Sequence, residues 1–289
     1  MSPFDPNAYP PRTVGALALL VALVYLPGCA SPTDIAPSMG STSIRFQALI
    51  EGKPATCVEA TAVEAADATV QLTDLRFYVH DVRFVDAEGE ETPAVLRADG
   101  RWQTAEVALI DLEDGVGACR NGSPETREVI EVQAPNGSFV ALRFRLGVPF
   151  DSNHANPATS PAPLNLTAMS WGWMGGHKFM RLEAEVDGRS HTVHLASTGC
   201  EGIIGAITGC ARGNRPEIEV ALSGRAPETV ALHLDRLLGV STAAQPETGG
   251  ARTCMSGRAD TDCASVFAGL GLDLYSGRPM YPATAFEGQ

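Results

Sequence analysis

The chain has 289 residues, of which 44% are hydrophobic and 19% charged, close to ordinary globular proteins, so neither a disordered chain nor a polytopic membrane protein fits. Its 34 acidic residues outnumber 21 basic ones; the net charge of −13 repels phosphate backbones and suits a cation or a basic partner, not nucleic acid. Aromatic residues make up only 6%, whereas 29 glycines and 20 prolines call for many turns.

At the N-terminus, Arg12 precedes the apolar run Val14 to Leu26 (VGALALLVALVYL), which has the length of a signal-peptide core and falls short of a bilayer span. The run ends in Leu26-Pro27-Gly28-Cys29, a pattern similar to a bacterial lipobox. Residues 1–29 are therefore expected to be a lipoprotein signal peptide with Cys29 lipidated, cleavage near Ala30 by an ordinary signal peptidase being the alternative. Ala30-Ser31 lacks the aspartate that retains lipoproteins at the inner membrane, which points to the periplasm or cell surface and an outer-membrane anchor. Residues 30–42 are small, polar and proline-bearing, as in a flexible tether, and 43–289 form the folded domain.

Beyond the tether, period-two alternation punctuated by turn signals predicts an all-β, sandwich-like single domain with long loops. Strands are expected at Ile44 to Ile50, Arg76 to Val85, Glu106 to Leu112, Glu128 to Val132, Phe139 to Val148, Glu217 to Leu222 and Thr229 to Asp235. Met180 to Val186 and the segment around Val193 to Leu195 form a hairpin turned at Asp187-Gly188, with His191 on its apolar face and His194 on the face of Arg181 and Glu183. Asn121-Gly122 and Asn136-Gly137 mark turns. Residues 151–165 (DSNHANPATSPAPLN) are too proline-rich for a regular element and predict a long ordered or functional loop. After Val240 only Ala264 to Leu270 has the pattern of a short helix. In the strand from Arg76, apolar residues occupy odd positions up to Val79 and even positions from Val82; this phase flip at His80-Asp81 predicts a β-bulge, a device that re-aims side chains beside functional sites.

With Cys29 spent on the lipid, six cysteines remain: Cys57, Cys119, Cys200, Cys210, Cys254 and Cys263. In an exported chain they suggest three disulfides. Local loop closure favours Cys200 with Cys210 and Cys254 with Cys263, leaving Cys57 for Cys119, out of fifteen formal pairings. A thiolate metal site is the competing reading, but no Cys-x-x-Cys occurs. Nucleotide-binding, α/β-hydrolase and zincin motifs are missing, so no enzyme class announces itself. A metal here would have to use the nitrogen of the six histidines, His80, His154, His177, His191, His194 and His233. His191 reads as a packed or turn-flanking residue, His233 as part of a solvated strand face, and Trp102 as core.

Several longer motifs resemble one family. They are Leu75-Arg76-Phe77-Tyr78-Val79-His80-Asp81-Val82, Leu112-Glu113-Asp114-Gly115 before Cys119, Leu146-Gly147-Val148-Pro149-Phe150 with Asn153-His154-Ala155, Met169-Ser170-Trp171-Gly172-Trp173, and His194-Leu195-Ala196-Ser197-Thr198-Gly199-Cys200. Together they are similar to the MbnP-like family, the four-cysteine protein of the metallo-mystery pair associated with methanobactin. The resemblance implies an exported copper-binding protein, paired with a di-haem MauG-like cytochrome that oxidises one of its tryptophans to kynurenine near the copper. It implies copper ligation by His80, His154 and His194, which are expected to converge in an acidic surround. His177 and Met255 are weaker ligand candidates; Trp171 and Trp173 are the candidate oxidation sites, and Asp81 is a candidate for orienting a ligating histidine. The role implied is copper acquisition or handling without catalysis; the alternatives are a mononuclear copper oxidase and a structural cell-surface module without metal.

Overall fold

The computed structural model describes residues 38–172, 174–224, 228–240 and 251–289; the signal segment, Cys29 and Trp173 lie outside the described residues. The fold is all-β, as expected. One sheet orders Phe286–Gly288, Glu228–His233, Met39–Ile50, Val129–Pro135 and Val95–Leu96 side by side. The second orders Glu217–Ala221, Ala141–Leu146, Ala68–Val85, Met180–Val186, Arg189–Leu195 and Arg252–Cys254, and Val107–Asp111 also pairs with its long central strand Ala68–Val85. Strand Met39–Ile50 starts earlier than expected, because residues 39–42, read as the end of the tether, pair in register with Pro135 to Val132.

The two sheets meet through alternating side chains. Phe46 and Phe286 from the first face Phe77 and Phe144 from the second, and their rings pack edge to face with centroids 5.6 to 6.3 Å apart. Such pairs contribute about 0.5–1.5 kcal/mol each beyond their apolar burial, so a chain poor in aromatics has concentrated four of them where the sheets join.

The phase flip is a bulge. Pairing of the central strand with Ala141–Leu146 shifts register between His80 and Arg83, and Asp81 takes φ +52°, a left-handed conformation that Asp tolerates better than most residues. The extra residue turns Asp81 outward and keeps both His80 and Val82 buried. All three disulfides have the pairing favoured by local closure: Cys57–Cys119, Cys200–Cys210 and Cys254–Cys263. The helix near Ala264 is present as Ala264–Gly269.

Three features differ from the sequence reading. Thr198–Ile203 and Ala206–Arg212 form a separate hairpin that pairs with neither sheet. Both faces of most of that hairpin are exposed or half-buried, so it carries no apolar alternation to read. The strand expected to reach Asp235 ends at His233 and turns into the helix Leu234–Leu238, which closes at Gly239 in a left-handed cap (φ 68°). His233 is accordingly buried, not solvated: its backbone N–H donates to Ala285 O and its ring lies 3.1 Å from the Glu287 carboxylate.

Candidate metal centre

His80 lies on the bulge with its ring buried and its Nδ1 without a hydrogen-bond partner. Burial, reinforced by the charge of Arg215, pushes its pKa down to about 4, with the backbone of Gly147 acting the other way, so the imidazole is neutral and keeps a lone pair at neutral pH. Asp81 does not orient it. Its outward carboxylate pairs with Arg83 at 3.2 Å and Arg145 at 3.5 Å instead. The surround of His80 is mixed and not acidic: Asp81, Glu106 and Asp151 line the same open hollow as Arg145 and Arg215. Arg215 is itself held inside, its Nε donating to Val148 O at 2.6 Å and its guanidinium 4.6 Å from the Phe179 ring centroid.

The proline-rich segment is ordered, and the mechanism is a clamp. It opens with a single helical turn, Phe150–Asn153, and His154 follows with its ring 5.0 Å from that of Phe150. Asn153 is fully buried; its Oδ1 accepts from the His177 backbone N–H at 2.9 Å and its Nδ2 donates to Gly175 O at 3.3 Å. Gly176 (φ +77°) makes this close approach possible, since a Cβ there would sit 2.3 Å from Asn153 O. Further along, the Tyr78 hydroxyl donates to Pro163 O at 3.0 Å.

His177 locks the same loop. Its Nδ1 lies 3.1 Å from Asn153 O and its Nε2 2.8 Å from Leu164 O. Both ring nitrogens lie against backbone carbonyls, so His177, a weaker ligand candidate by resemblance, serves here as a brace for the loop. His154 differs: its Nδ1 is buried without a partner, while Nε2 lies 3.2 Å from Asn153 Nδ2 and 3.4 Å from Cys210 Sγ. Its pKa is lowered by burial and by Arg215, the residue it shares with His80. A cavity of about 170 Å³ lies between His154 and the turn after Trp171, lined also by His177 and Gly172.

His194 points away from the apolar face of its hairpin, opposite Arg181, as expected. Its Nε2 is 3.0 Å from Glu183 Oε1. This hydrogen bond, ahead of Arg181, holds the Glu183 pKa down to about 2; the carboxylate is ionised and only accepts, so Nε2 carries the proton. Trp171 packs edge to face on His194, with centroids 6.1 Å apart. Behind them runs a chain of buried charges: Arg181 reaches Asp74 at 3.1 Å, and Arg76 holds Asp74 at 3.0 Å and Glu113 at 3.5 Å. Burial raises the pKa of Asp111, beside this chain, to about 7.

His80 and His154 thus share Arg215 and the turn at Phe150, whereas His194 belongs to Trp171 and Glu183. The three do not converge: among the described residues, donor atoms within 4.8 Å of one another are found for His154, Cys200 and Cys210 and for Cys57, Asp114 and Cys119, both sets containing a disulfide. Met255 is half-buried between Cys254 and Ser256, and it is Ser256, whose hydroxyl donates to His194 O at 3.0 Å, that ties this segment to the site. Gly176 and Ser256 carried no signal in the sequence beyond their nearness to the motifs, and Asn153 none beyond its place beside His154 in one of them.

The class is a disulfide-stapled β-sandwich in which a bulge and a braced loop each bury an imidazole whose Nδ1 has no hydrogen-bond partner. The MbnP family model matches residues 39–256, and the chain belongs to the MbnP family. The solved structure of MbnP from Methylosinus trichosporium is similar at 28% identity and a TM-score of 0.69, covering 87% of this chain and 98% of that one. A search of curated proteins finds no match.

Proposed function

We propose that the protein binds copper without catalysing a reaction, is exported and anchored by lipid at Cys29, and is the substrate of a di-haem MauG-like partner that oxidises Trp171 or Trp173 to kynurenine. The observation that carries the copper reading is the buried, unpartnered Nδ1 of His80, joined by His154, whose Nε2 lone pair faces Asn153 Nδ2 at 3.2 Å. A buried polar atom without a partner is costly, and a metal ion compensates it. Both rings are held neutral by burial and by Arg215, which is the state that ligates. His194 stands apart from them beside Trp171; Glu183 occupies its Nε2, and such a carboxylate partner fixes the tautomer with the lone pair on Nδ1.

Copper, when bound, supplies a soft one-electron redox centre. The chain's own residues do the rest: Asn153 and His177 hold the His154 loop, the bulge presents His80, and His194 supports the face of Trp171. Oxidation to kynurenine by the haem partner adds one oxygen to each of indole C2 and C3 as the bond between them breaks, and water then releases C2 as formate, leaving an aniline nitrogen. Intact mass and peptide mapping of protein from its native host, with and without the neighbouring cytochrome, test the reading. An unmodified Trp171/Trp173 peptide in the presence of the cytochrome would remove the kynurenine step, and a metal-free protein that fails to take up copper would remove the site.

A further inference from the structure

We propose that the Cys200–Cys210 disulfide is a redox gate on the copper site: its reduction frees two sulfurs that join His154 in holding one Cu(I) ion. The inference rests on the copper reading for its choice of metal, while its geometry stands independently. The ligand atoms of His154, Cys200 and Cys210 all lie within 4.8 Å of one another, and His154 Nε2 is 3.4 Å from Cys210 Sγ. Asn153 Nδ2 is the present neighbour of that nitrogen at 3.2 Å, and Cu(I) would take its place.

The three disulfides differ in access. Cys57, Cys119, Cys254 and Cys263 are all at most 3% exposed, whereas Cys200 and Cys210 are half-buried on a hairpin that pairs with neither sheet. A dithiol reductant can therefore reach this bond and not the others. Opening it does not scatter the sulfurs, because Cys200 and Cys210 face each other in register across the hairpin. The hairpin base has its own fastenings: buried Arg212 donates to Thr198 Oγ1 at 3.2 Å and Leu274 O at 2.8 Å, and Asn214 Nδ2 donates to Ala196 O at 2.7 Å.

The chemistry balances. A dithiol of the thioredoxin class gives two electrons and two protons to the Cys200–Cys210 bond and becomes a disulfide itself. Cu(I) then displaces both thiol protons, forming two Cu–S bonds and one Cu–N bond to His154. Two thiolates and an imidazole form a soft, three-coordinate donor set, which suits Cu(I) better than ions that favour four or six harder ligands. Reduction would thus switch the protein between two copper affinities in response to the thiol poise of its compartment.

The test is an anaerobic titration of the whole protein with Cu(I) against bicinchoninate, before and after mild dithiol treatment, with mass tagging of free thiols. The expected result is tagging confined to Cys200 and Cys210 and Cu(I) held at least about tenfold more tightly against bicinchoninate after reduction. That gain should vanish in Cys200→Ser/Cys210→Ser, whose thermal melting, compared with that of the parent, verifies that it folds. It should persist in His80→Ala, which weakens copper binding by the oxidised protein, so failure of the copper reading and failure of the gate are seen separately. No gain in Cu(I) affinity on reduction, a gain that survives in the double serine variant, or simultaneous tagging of all the cysteines would overturn the proposal.

Discussion

Truncating Asn153 to alanine tests whether the loop that presents His154 is held by the clamp described above. The side chain is fully buried, and its loss leaves the His177 N–H without its acceptor 2.9 Å away and Gly175 O without its donor 3.3 Å away. A buried, unsatisfied amide costs about 1–3 kcal/mol. The space left by the amide adds about 1 kcal/mol, since Gly176 and His177 are packed too tightly around it to collapse inward. A destabilisation of about 3 kcal/mol lowers the melting temperature by roughly 6–12 °C in a domain of this size. Differential scanning calorimetry measures it, with Asn156→Ala as control: Asn156 is exposed and its side chain only caps the next turn, accepting from Ala158 N at 3.0 Å. Loosening the loop also lets His154 leave its position, so copper affinity falls by about tenfold if it is a ligand. Asn153→Ala melting together with Asn156→Ala would refute the clamp.

His80→Ala and His154→Ala should each weaken copper binding by at least about tenfold in chelator competition. His233→Ala should leave it unchanged, because its ring belongs to Glu287; equal affinity in all three variants would rule out the site as drawn. Removing Cys57–Cys119 should destabilise the fold by about 4 kcal/mol and removing Cys200–Cys210 by nearer 3 kcal/mol, since chain entropy scales with loops of 62 and 10 residues. Urea midpoints in the reverse order would contradict the entropic argument. Burial raises the folded pKa of Asp111 to about 7, well above the ordinary aspartate value, so its contribution to stability is fully present below about pH 4 and is lost as pH rises through 7. Asp111→Asn should therefore gain stability relative to the parent between pH 5 and pH 8, read as a difference in melting temperature; a pH-independent difference would show that the carboxyl is not the titrating group.

What the sequence determined by itself was local. Alternation marked the strands because neighbouring side chains on an extended backbone point to opposite faces, and the break in that alternation at His80-Asp81 located the bulge for the same reason. Close spacing identified the pairs Cys200–Cys210 and Cys254–Cys263, because short loops close at small entropic cost. The opposite faces of His191 and His194 followed from hairpin register. Motif resemblance placed the chain in its family, yet it could not say which nitrogen of which histidine is free. Only the tertiary structure decided that, because a lone pair is available or committed according to groups distant in the chain: Leu164 and Asn153 claim His177, Glu183 claims His194, and Glu287 sits against His233. The Nδ1 atoms of His80 and His154 were left without hydrogen-bond partners by the meeting of a bulge and a braced loop some seventy residues apart, beside an arginine further along still. Such long-range encounters depend on which strand ends the sandwich brings together, and no local pattern encodes them.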